Sequence, residues 1–183
     1  YYLILVYLIC AIFEKALNYI MLIKLKNKQY LVIDEFKFKC SVGKNGLKTK
    51  KKEGDNSTPK GNFKIGKVYY RSDRVRKPET RLKTKIIRKN MGWCNDPYSR
   101  NYNKEISLNK KNKGEKLFRS DGVYDILIVI EYNTKKIIPL KGSAIFIHLT
   151  KNYSTTQGCI ALNKNDLLIL LKIIKPGTKV KIS

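Results

Sequence analysis

Short apolar runs of strand length constrain the fold of this chain most strongly. The segment 125–132 (DILIVIEY) is brief and rich in Ile and Val, which is typical of a buried strand rather than a helix. In the segment 144–149 (AIFIHL), Ile and Leu alternate with Ala, Phe and His. Because successive side chains of a strand point to opposite faces, Ile147 and His148 are expected to lie on opposite sides of a sheet.

Further strands and one helix are predicted on either side of these runs. In segment 29–42, apolar and polar residues alternate as in a pair of strands. The sequence KNG at 44–46 predicts a turn, and segment 63–70 is predicted to be a strand. Asn163, with Asp166 three residues later, has the N-cap pattern of a helix, and the apolar run LLILLKII follows. A closing strand is predicted at 178–182, whereas 71–121 shows no regular pattern. The fold class is therefore mainly β, a β-rich α+β domain.

The N-terminal segment stands apart from this pattern. An apolar run, Tyr1–Phe13, ends at an acidic and a basic residue and is shorter than the roughly 20 residues that cross a bilayer. It lacks the basic start and the small-residue cleavage site of a secretory signal. Two interpretations stay open: a truncated export signal or anchor, or upstream translation with Met21 as the start. We expect residues 1–20 to be a leader and residues 21–183 to form one catalytic domain.

The charge of the chain invites a second class of function. It has 39 basic and 14 acidic residues, for a formal net charge of +25. Nucleic-acid binding is not predicted, because most of the charge is Lys, only 48–52 (KTKKK) is dense, and no arginines follow a helical reading register. A basic, non-enzymatic protein that binds polyanions stays open as the alternative.

The four cysteines, at positions 10, 40, 94 and 159, give no metal site. None forms a CxxC pair, and a single histidine cannot complete a common zinc set. We therefore expect no metal, and we interpret Cys40 and Cys94 as packed thiols.

His148 and Cys159 are the best candidates for chemistry in this sequence. A cysteine needs a neighbouring base to act as a nucleophile at neutral pH, and histidine is well suited to that task. His148 ends a predicted strand, and Cys159 follows one loop later, preceded by a glycine. Gly158 would let backbone N–H groups approach an oxyanion. Taken singly, each residue is more often structural, so the residue types alone leave both interpretations open.

A resemblance to a known family goes further. The run GSAIFIH at 142–148, followed by TQGCIAL at 156–162, closely resembles the active-site segment of the L,D-transpeptidase (YkuD-like) family. The ending at 163–182, a helix followed by a Gly-Thr-x-Val strand, is similar as well. Upstream motifs extend the resemblance over about residues 28–183: EGDNSTPKGNF at 53–63, YYRSDR at 69–74, MGWCNDP at 91–97, YN at 102–103 and YD at 124–125.

The resemblance implies a β-sandwich with a helix after the cysteine, and peptidoglycan stem peptides as the partner. Cys159 would attack a stem tetrapeptide, release D-alanine and pass the acyl group to an amine of another stem peptide. His148 would be the base, and the backbone of Thr156, Gln157 and Gly158 would shape the oxyanion site. No cofactor is implied. We expect a monomer in the periplasm or cell envelope, and association with a membrane or the cell wall stays open.

Six residues are weaker candidates for contacts with the substrate: Gly142, Ser143, Trp93, Asp96, Tyr102 and Asn103. The first two lead into the histidine strand, where backbone atoms would shape the site. The tryptophan is a candidate for the wall of a substrate groove, although a single Trp more often packs in a core. The last three share its motif and are alternatively structural turn residues.

The sequence also departs from the family pattern. Gln157 stands where most members have a second histidine, and Ala161 stands where an arginine usually follows the cysteine. The loop between base and nucleophile is shorter than in the commoner branch. The way in which the substrate is gripped is therefore open, and so is transfer to water, which would make the protein an L,D-carboxypeptidase.

Overall fold

The computed structural model describes residues 20–49 and 52–183, so the predicted leader, apart from residue 20, lies outside the described residues. Within these residues the chain forms fourteen strands and one helix. The strands are Leu22–Lys26 (β1), Tyr30–Ile33 (β2), Phe36–Ser41 (β3), Leu47–Lys48 (β4), Thr58–Pro59 (β5), Gly61–Tyr70 (β6), Thr84–Ile86 (β7), Met91–Trp93 (β8), Glu105–Ser107 (β9), Glu115–Lys116 (β10), Ile126–Ile130 (β11), Phe146–Leu149 (β12), Ile160–Leu162 (β13) and Lys179–Ile182 (β14), and the helix is Lys164–Ile173 (α1).

The largest sheet nearly encircles the core. Its nine strands run in the order β11-β12-β13-β3-β2-β1-β14-β6-β7, and β11 also pairs with β6. That additional pairing closes all strands but β7 into a ring, whose opposed halves pack together in a sandwich-like manner. The mainly β prediction is confirmed. No helix among the described residues is long and apolar enough to span a membrane.

Alternating side chains fill the inside of this closed sheet. Ile147 of β12 is fully buried there, and Ile23, Leu31 and Ile160 of other strands belong to the same cluster. The helix α1 packs on this core through its buried leucines. Its predicted start is confirmed, because the side chain of Asn163 accepts a hydrogen bond from the amide of residue 166.

A second core covers part of the outer face of the sheet. Phe146 of β12, on the opposite side of the strand from Ile147, is completely buried there. The side chains that cover it include Trp93, Leu117 and Tyr124. The segment without a regular pattern thus contains four short strands, three of which (β8–β10) form a small sheet. Sequence periodicity missed these strands because two or three residues are too few to show an alternation.

The pairing of β12 with β13 positions the end of the predicted nucleophile loop. The two strands are parallel, and Ile147 pairs with Ile160 and His148 with Ala161. β13 continues the sheet to β3 in antiparallel fashion, with Ala161 opposite Ser41. The outer faces of β12, β13 and β3 therefore form one continuous surface.

The inner core should dominate stability. Replacing fully buried Ile147 with Ala removes three carbon atoms from a packed site and should lower the free energy of unfolding by about 2–5 kcal/mol. Guanidinium unfolding followed by circular dichroism measures the loss. Ile169→Ala on α1, where the side chain is 43% exposed, is the matched control and should change stability by less than about 1 kcal/mol. Equal losses would contradict the packing described here.

Candidate active site

His148 and Cys159 share one pocket on the outer face of the sheet. Cys159 lies two residues before Ala161, the parallel partner of His148, so both side chains point to the same side. They line a cavity of about 610 Å³. The strand pairing thus brings the two candidate residues together although a loop separates them in the sequence.

The histidine ring is held in one tautomer. His148 is 7% exposed, and its Nδ1 lies 2.9 Å from the carbonyl oxygen of Leu149. Because a carbonyl oxygen can only accept, Nδ1 carries the hydrogen of the neutral ring, and Nε2 keeps a lone pair. Burial lowers the pKa of His148 to about 4; the charge of Arg119 adds to the lowering, whereas the Leu149 carbonyl opposes it. The ring is therefore neutral at pH 7 and able to accept a proton.

The sulfur of Cys159 lies against the edge of the histidine strand. Its Sγ is 3.2 Å from the carbonyl oxygen of Ala144, to which the thiol donates, and it accepts from the amide of Phe146 at 3.3 Å. The amide contact favours negative charge on sulfur, whereas the carbonyl contact favours the thiol. The residue is 8% exposed, so the nucleophile candidate is largely shielded from water.

The loop before the cysteine is braced by a threonine. Thr156 Oγ1 donates to the carbonyl oxygen of Cys159 at 2.6 Å and accepts from the amide of Gly158 at 3.1 Å. The Gly158 N–H is thus engaged within the loop, which differs from the expectation that it faces an oxyanion. The backbone φ of Gly158 is +134°, a conformation that favours glycine over residues with a side chain. Gln157 is exposed and lines the pocket beside them.

Two of the weaker candidates brace the segment under the sulfur. Tyr102 accepts from the amide of Gly142 at 2.9 Å, and Asn103 Oδ1 accepts from the amide of Ala144 at 3.1 Å. Asn103 also donates to the carbonyl oxygens of Tyr132 and Asn133 at 3.0 and 2.8 Å. Both side chains are buried, so they hold the backbone that contacts Cys159.

The remaining weaker candidates lie in different places. Trp93 does not line the pocket; its Nε1 donates to Asn103 at 2.9 Å, and its ring packs edge-on against Phe146 at 5.2 Å. Its size and apolar neighbours place it in the outer core. Asp96 is also outside the pocket, where its carboxylate accepts from the amide of Tyr98 at 3.0 Å in an exposed turn. Ser143 is buried and lines the pocket.

Several pocket residues were missed by sequence reasoning. Tyr124 packs edge-on against His148 with ring centroids 5.4 Å apart, and its hydroxyl donates to Glu115. Burial, the charge of Cys159 and the charge of Glu115 raise the pKa of Tyr124 well above its usual value. Glu53 and Arg119 line the same pocket. Two motifs quoted from the sequence contain such residues, YD at 124–125 and EGDNSTPKGNF at 53–63, whereas Glu115 and Arg119 lie in a segment without periodicity.

The described residues offer no built metal site. Among residues 20–49 and 52–183, no group of three or more His, Cys, Asp or Glu side chains could hold a metal ion. Cys40, Cys94 and Cys159 are buried, and they form no disulfide with one another.

Comparison with protein families agrees with the resemblance seen in the sequence. The family model of the L,D-transpeptidase catalytic domain (YkuD) matches residues 18–182. The solved structure of the helical cell shape determining protein Pgp2 from Campylobacter jejuni is 17% identical, with a TM-score of 0.48, and the match covers 90% of this chain and 47% of that one. Bd1075 from Bdellovibrio bacteriovorus is 13% identical with a TM-score of 0.46, and the match covers 90% of this chain and 47% of that one.

L,D-transpeptidase 1 from Mycobacterium tuberculosis is 12% identical with a TM-score of 0.42, and the match covers 88% of this chain and 58% of that one. This chain thus spans about half the length of these solved chains. A search of curated proteins gave no match.

The single histidine allows a direct test of the buried pocket. The folded-state pKa of His148 is lowered to about 4, whereas an unfolded histidine has a pKa of about 6.5. Between these values the unfolded chain binds more protons, so stability should fall as the pH drops from about 6.5 towards 4. NMR titration of the one imidazole resonance should give a midpoint well below 6, and in urea a midpoint near 6.5. A folded-state midpoint above 6.5 would instead indicate a thiolate–imidazolium pair.

Proposed function

This chain belongs to the YkuD family of L,D-transpeptidase catalytic domains, and from that premise we propose that it is a peptidoglycan L,D-transpeptidase with Cys159 as nucleophile and His148 as base. The observation that carries the proposal is the parallel pairing of β12 with β13, because it brings both side chains into one pocket. We further propose that the protein acts in the cell envelope, where such a substrate lies.

In the first half of the proposed reaction, Nε2 of His148 takes the thiol proton of Cys159. The thiolate then attacks the carbonyl carbon of the peptide bond that follows the third residue of a stem tetrapeptide. As the tetrahedral intermediate collapses, the imidazolium gives its proton to the leaving amine of D-alanine. A thioester between Cys159 and the shortened peptide remains.

In the second half, an amine of another stem peptide attacks the thioester carbonyl. His148 removes a proton from this amine, the C–S bond breaks, and the thiolate leaves as the new amide bond forms. Protonation restores the thiol. If water takes the place of the amine, the product is a free tripeptide and the activity is that of an L,D-carboxypeptidase.

Three contacts support these roles. The Leu149 carbonyl accepts from Nδ1 of His148 and stabilises the imidazolium that forms during the reaction. The Phe146 amide stabilises developing charge on the Cys159 sulfur. The ring of Tyr124 packs against His148 and keeps it oriented and dry. For the oxyanion we propose the backbone of the 156–159 loop, which requires the Gly158 amide to leave Thr156.

We propose that Arg119 binds the donor peptide. It would replace the arginine that most family members have at the position of Ala161. Ala161 faces the pocket with a methyl group only. Arg119 lines the same pocket, and its Nε lies 3.1 Å from each carboxylate oxygen of Asp121. Nη2 also binds Asp121, whereas Nη1 makes no hydrogen bond to another described residue. The guanidinium is thereby oriented with one edge available for a carboxylate.

The position of Arg119 fits the carboxylate of the leaving D-alanine. Its Cζ is 5.1 Å from the centroid of the Tyr124 ring, which also contacts His148. The leaving amine must approach His148 to be protonated, and the carboxylate is bonded to the same α-carbon as that amine. A carboxylate placed on Arg119 would therefore set the amine beside the base.

The nucleophile is tested by replacing the cysteine. Cys159→Ala should abolish D-alanine release from disaccharide tetrapeptide, and intact mass should show no carbapenem adduct, because neither the thioester nor the adduct can form. Peptide mapping of the wild type should place the adduct on residue 159. Cys94→Ala, which removes another buried free thiol, is the matched control and should keep both properties. Release of D-alanine by Cys159→Ala would refute the mechanism. Analysis of the wild-type products separates the two activities, because a transpeptidase forms cross-linked dimer whereas a carboxypeptidase forms free tripeptide.

The grip is tested by the Arg119→Gln variant. Losing a charge-assisted hydrogen bond to the donor should lower kcat/KM for the tetrapeptide by about tenfold to a hundredfold. For a tetrapeptide whose C-terminus is a carboxamide, the kcat/KM of the same variant should be close to that of the wild type, because this substrate lacks the negative charge. Arg88→Gln changes an exposed arginine outside the pocket and should match the wild type. Equal losses on both substrates would assign Arg119 a structural role instead.

A further inference from the structure

Seven lysines cover one outer face of the closed sheet, and we call them the lysine face. They occupy outward positions on four strands, β1, β3, β6 and β14, while the alternate residues point into the core. With β2 between β1 and β3, these strands are consecutive in the sheet. The members of the lysine face are Lys24, Lys26, Lys37, Lys39, Lys64, Lys179 and Lys181.

The strand register sets these charges side by side. Lys24 of β1 pairs with Lys181 of β14, and Lys179 of β14 pairs with Lys64 of β6. Neighbouring strands are about 4.8 Å apart, and like charges directly opposite each other destabilise a sheet. The arrangement therefore has a cost in the isolated protein, which an anionic ligand would offset.

Within residues 20–49 and 52–183, no acidic side chain occupies an outward position on the strand segments of this face. Other outward positions on these strands carry the uncharged residues Leu22, Tyr30, Val32 and Asn62, and exposed Lys67 near the end of β6 adds a further cation. Among the described residues, none of the seven lysines forms an ion pair. A chain with 14 acidic residues could have placed some here. The face is thus more cationic than the net charge alone requires.

The lysine face continues into the rim of the active-site pocket. Lys39 of β3 lies over the ring of Tyr153, with Nζ 4.7 Å from the centroid. Two residues further along β3, the Ser41 hydroxyl donates to the carbonyl oxygen of Ser154 at 2.9 Å. Both partners belong to the loop between His148 and Cys159. A polymer bound along the face would therefore reach the loop that carries the nucleophile.

We propose that the lysine face binds the peptide-bearing wall polymer as a polyanion and delivers its stem peptides to the pocket. This inference rests on the proposed function for the identity of the polymer, whose stem peptides carry free carboxylates. Lysines suit such a ligand because they act as flexible point charges and do not demand one geometry. The contact with the nucleophile loop favours the substrate polymer over a membrane surface, which would have no need to adjoin the pocket.

A charge-matched pair of variants tests the proposal. Lys24, Lys37 and Lys181 are all replaced by Gln in one variant, which empties the central row of the face. In the control, Lys110, Lys111 and Lys113 of an exposed loop are replaced by Gln, so both proteins have the same net charge. Binding to purified insoluble peptidoglycan is measured by co-sedimentation over a range of salt, and turnover of soluble tetrapeptide is measured in parallel.

The face variant should bind peptidoglycan about tenfold or more weakly, with a shallower salt dependence, whereas the control should bind like the wild type. Turnover of soluble tetrapeptide should be equal in all three proteins. Equal binding losses in both variants, or none in the face variant, would overturn the proposal. The proposal would also be overturned if the face variant lost binding to phosphatidylglycerol vesicles but bound peptidoglycan like the wild type. If the wild type does not turn over tetrapeptide but the face variant still binds peptidoglycan more weakly than the control, the proposed function is wrong and the lysine face remains a polymer-binding surface.

Discussion

The parallel pairing of β12 with β13 is the constraint on which the site depends. Its register sets Ala161 beside His148, so the residue two positions earlier, Cys159, must lie on the same face of the sheet. A shift by one residue would turn Cys159 towards the inner core and would remove the nucleophile candidate from the pocket. The register is secured because Ile147 and Ile160, its inward pair, are both fully buried.

Backbone groups and buried amides do much of the work around this pair. The ring of His148 is fixed by a carbonyl oxygen rather than by a carboxylate. The Cys159 sulfur lies against the amide of Phe146, at the start of the histidine strand, and the carbonyl of Ala144, just before it. The Oδ1 of Asn103 accepts from both the Ala144 amide and the Trp93 ring of the outer core, and its Nδ2 donates to two carbonyl oxygens just after β11. The ring of His148 stays neutral at pH 7, because the effect of burial on its pKa outweighs the opposing effects of the Leu149 carbonyl and the Asp121 charge.

The tertiary structure also separates charges that the sequence mixes. Three of the acidic residues, Glu53, Glu115 and Asp121, line the pocket together with Arg119. The lysine face, in contrast, carries seven cations without an acid. The pocket is therefore bipolar and suited to a small zwitterionic group, whereas the face beside it is suited to a long anion. A net charge of +25 could not by itself reveal either feature, since it says nothing about position.

The sequence by itself determined the elements whose signals are local. The alternation in β12, the N-cap of α1 and the ordered motifs around His148 and Cys159 needed only neighbouring residues, and they predicted the mainly β fold and the family. The tertiary structure alone decided where Trp93 and Asn103 lie, that Arg119 enters the pocket and that Thr156 engages the Gly158 amide. Most of these outcomes depend on contacts between residues far apart in the chain. Such contacts leave no periodic trace in the sequence, because packing and hydrogen bonding select them only after the strands have paired.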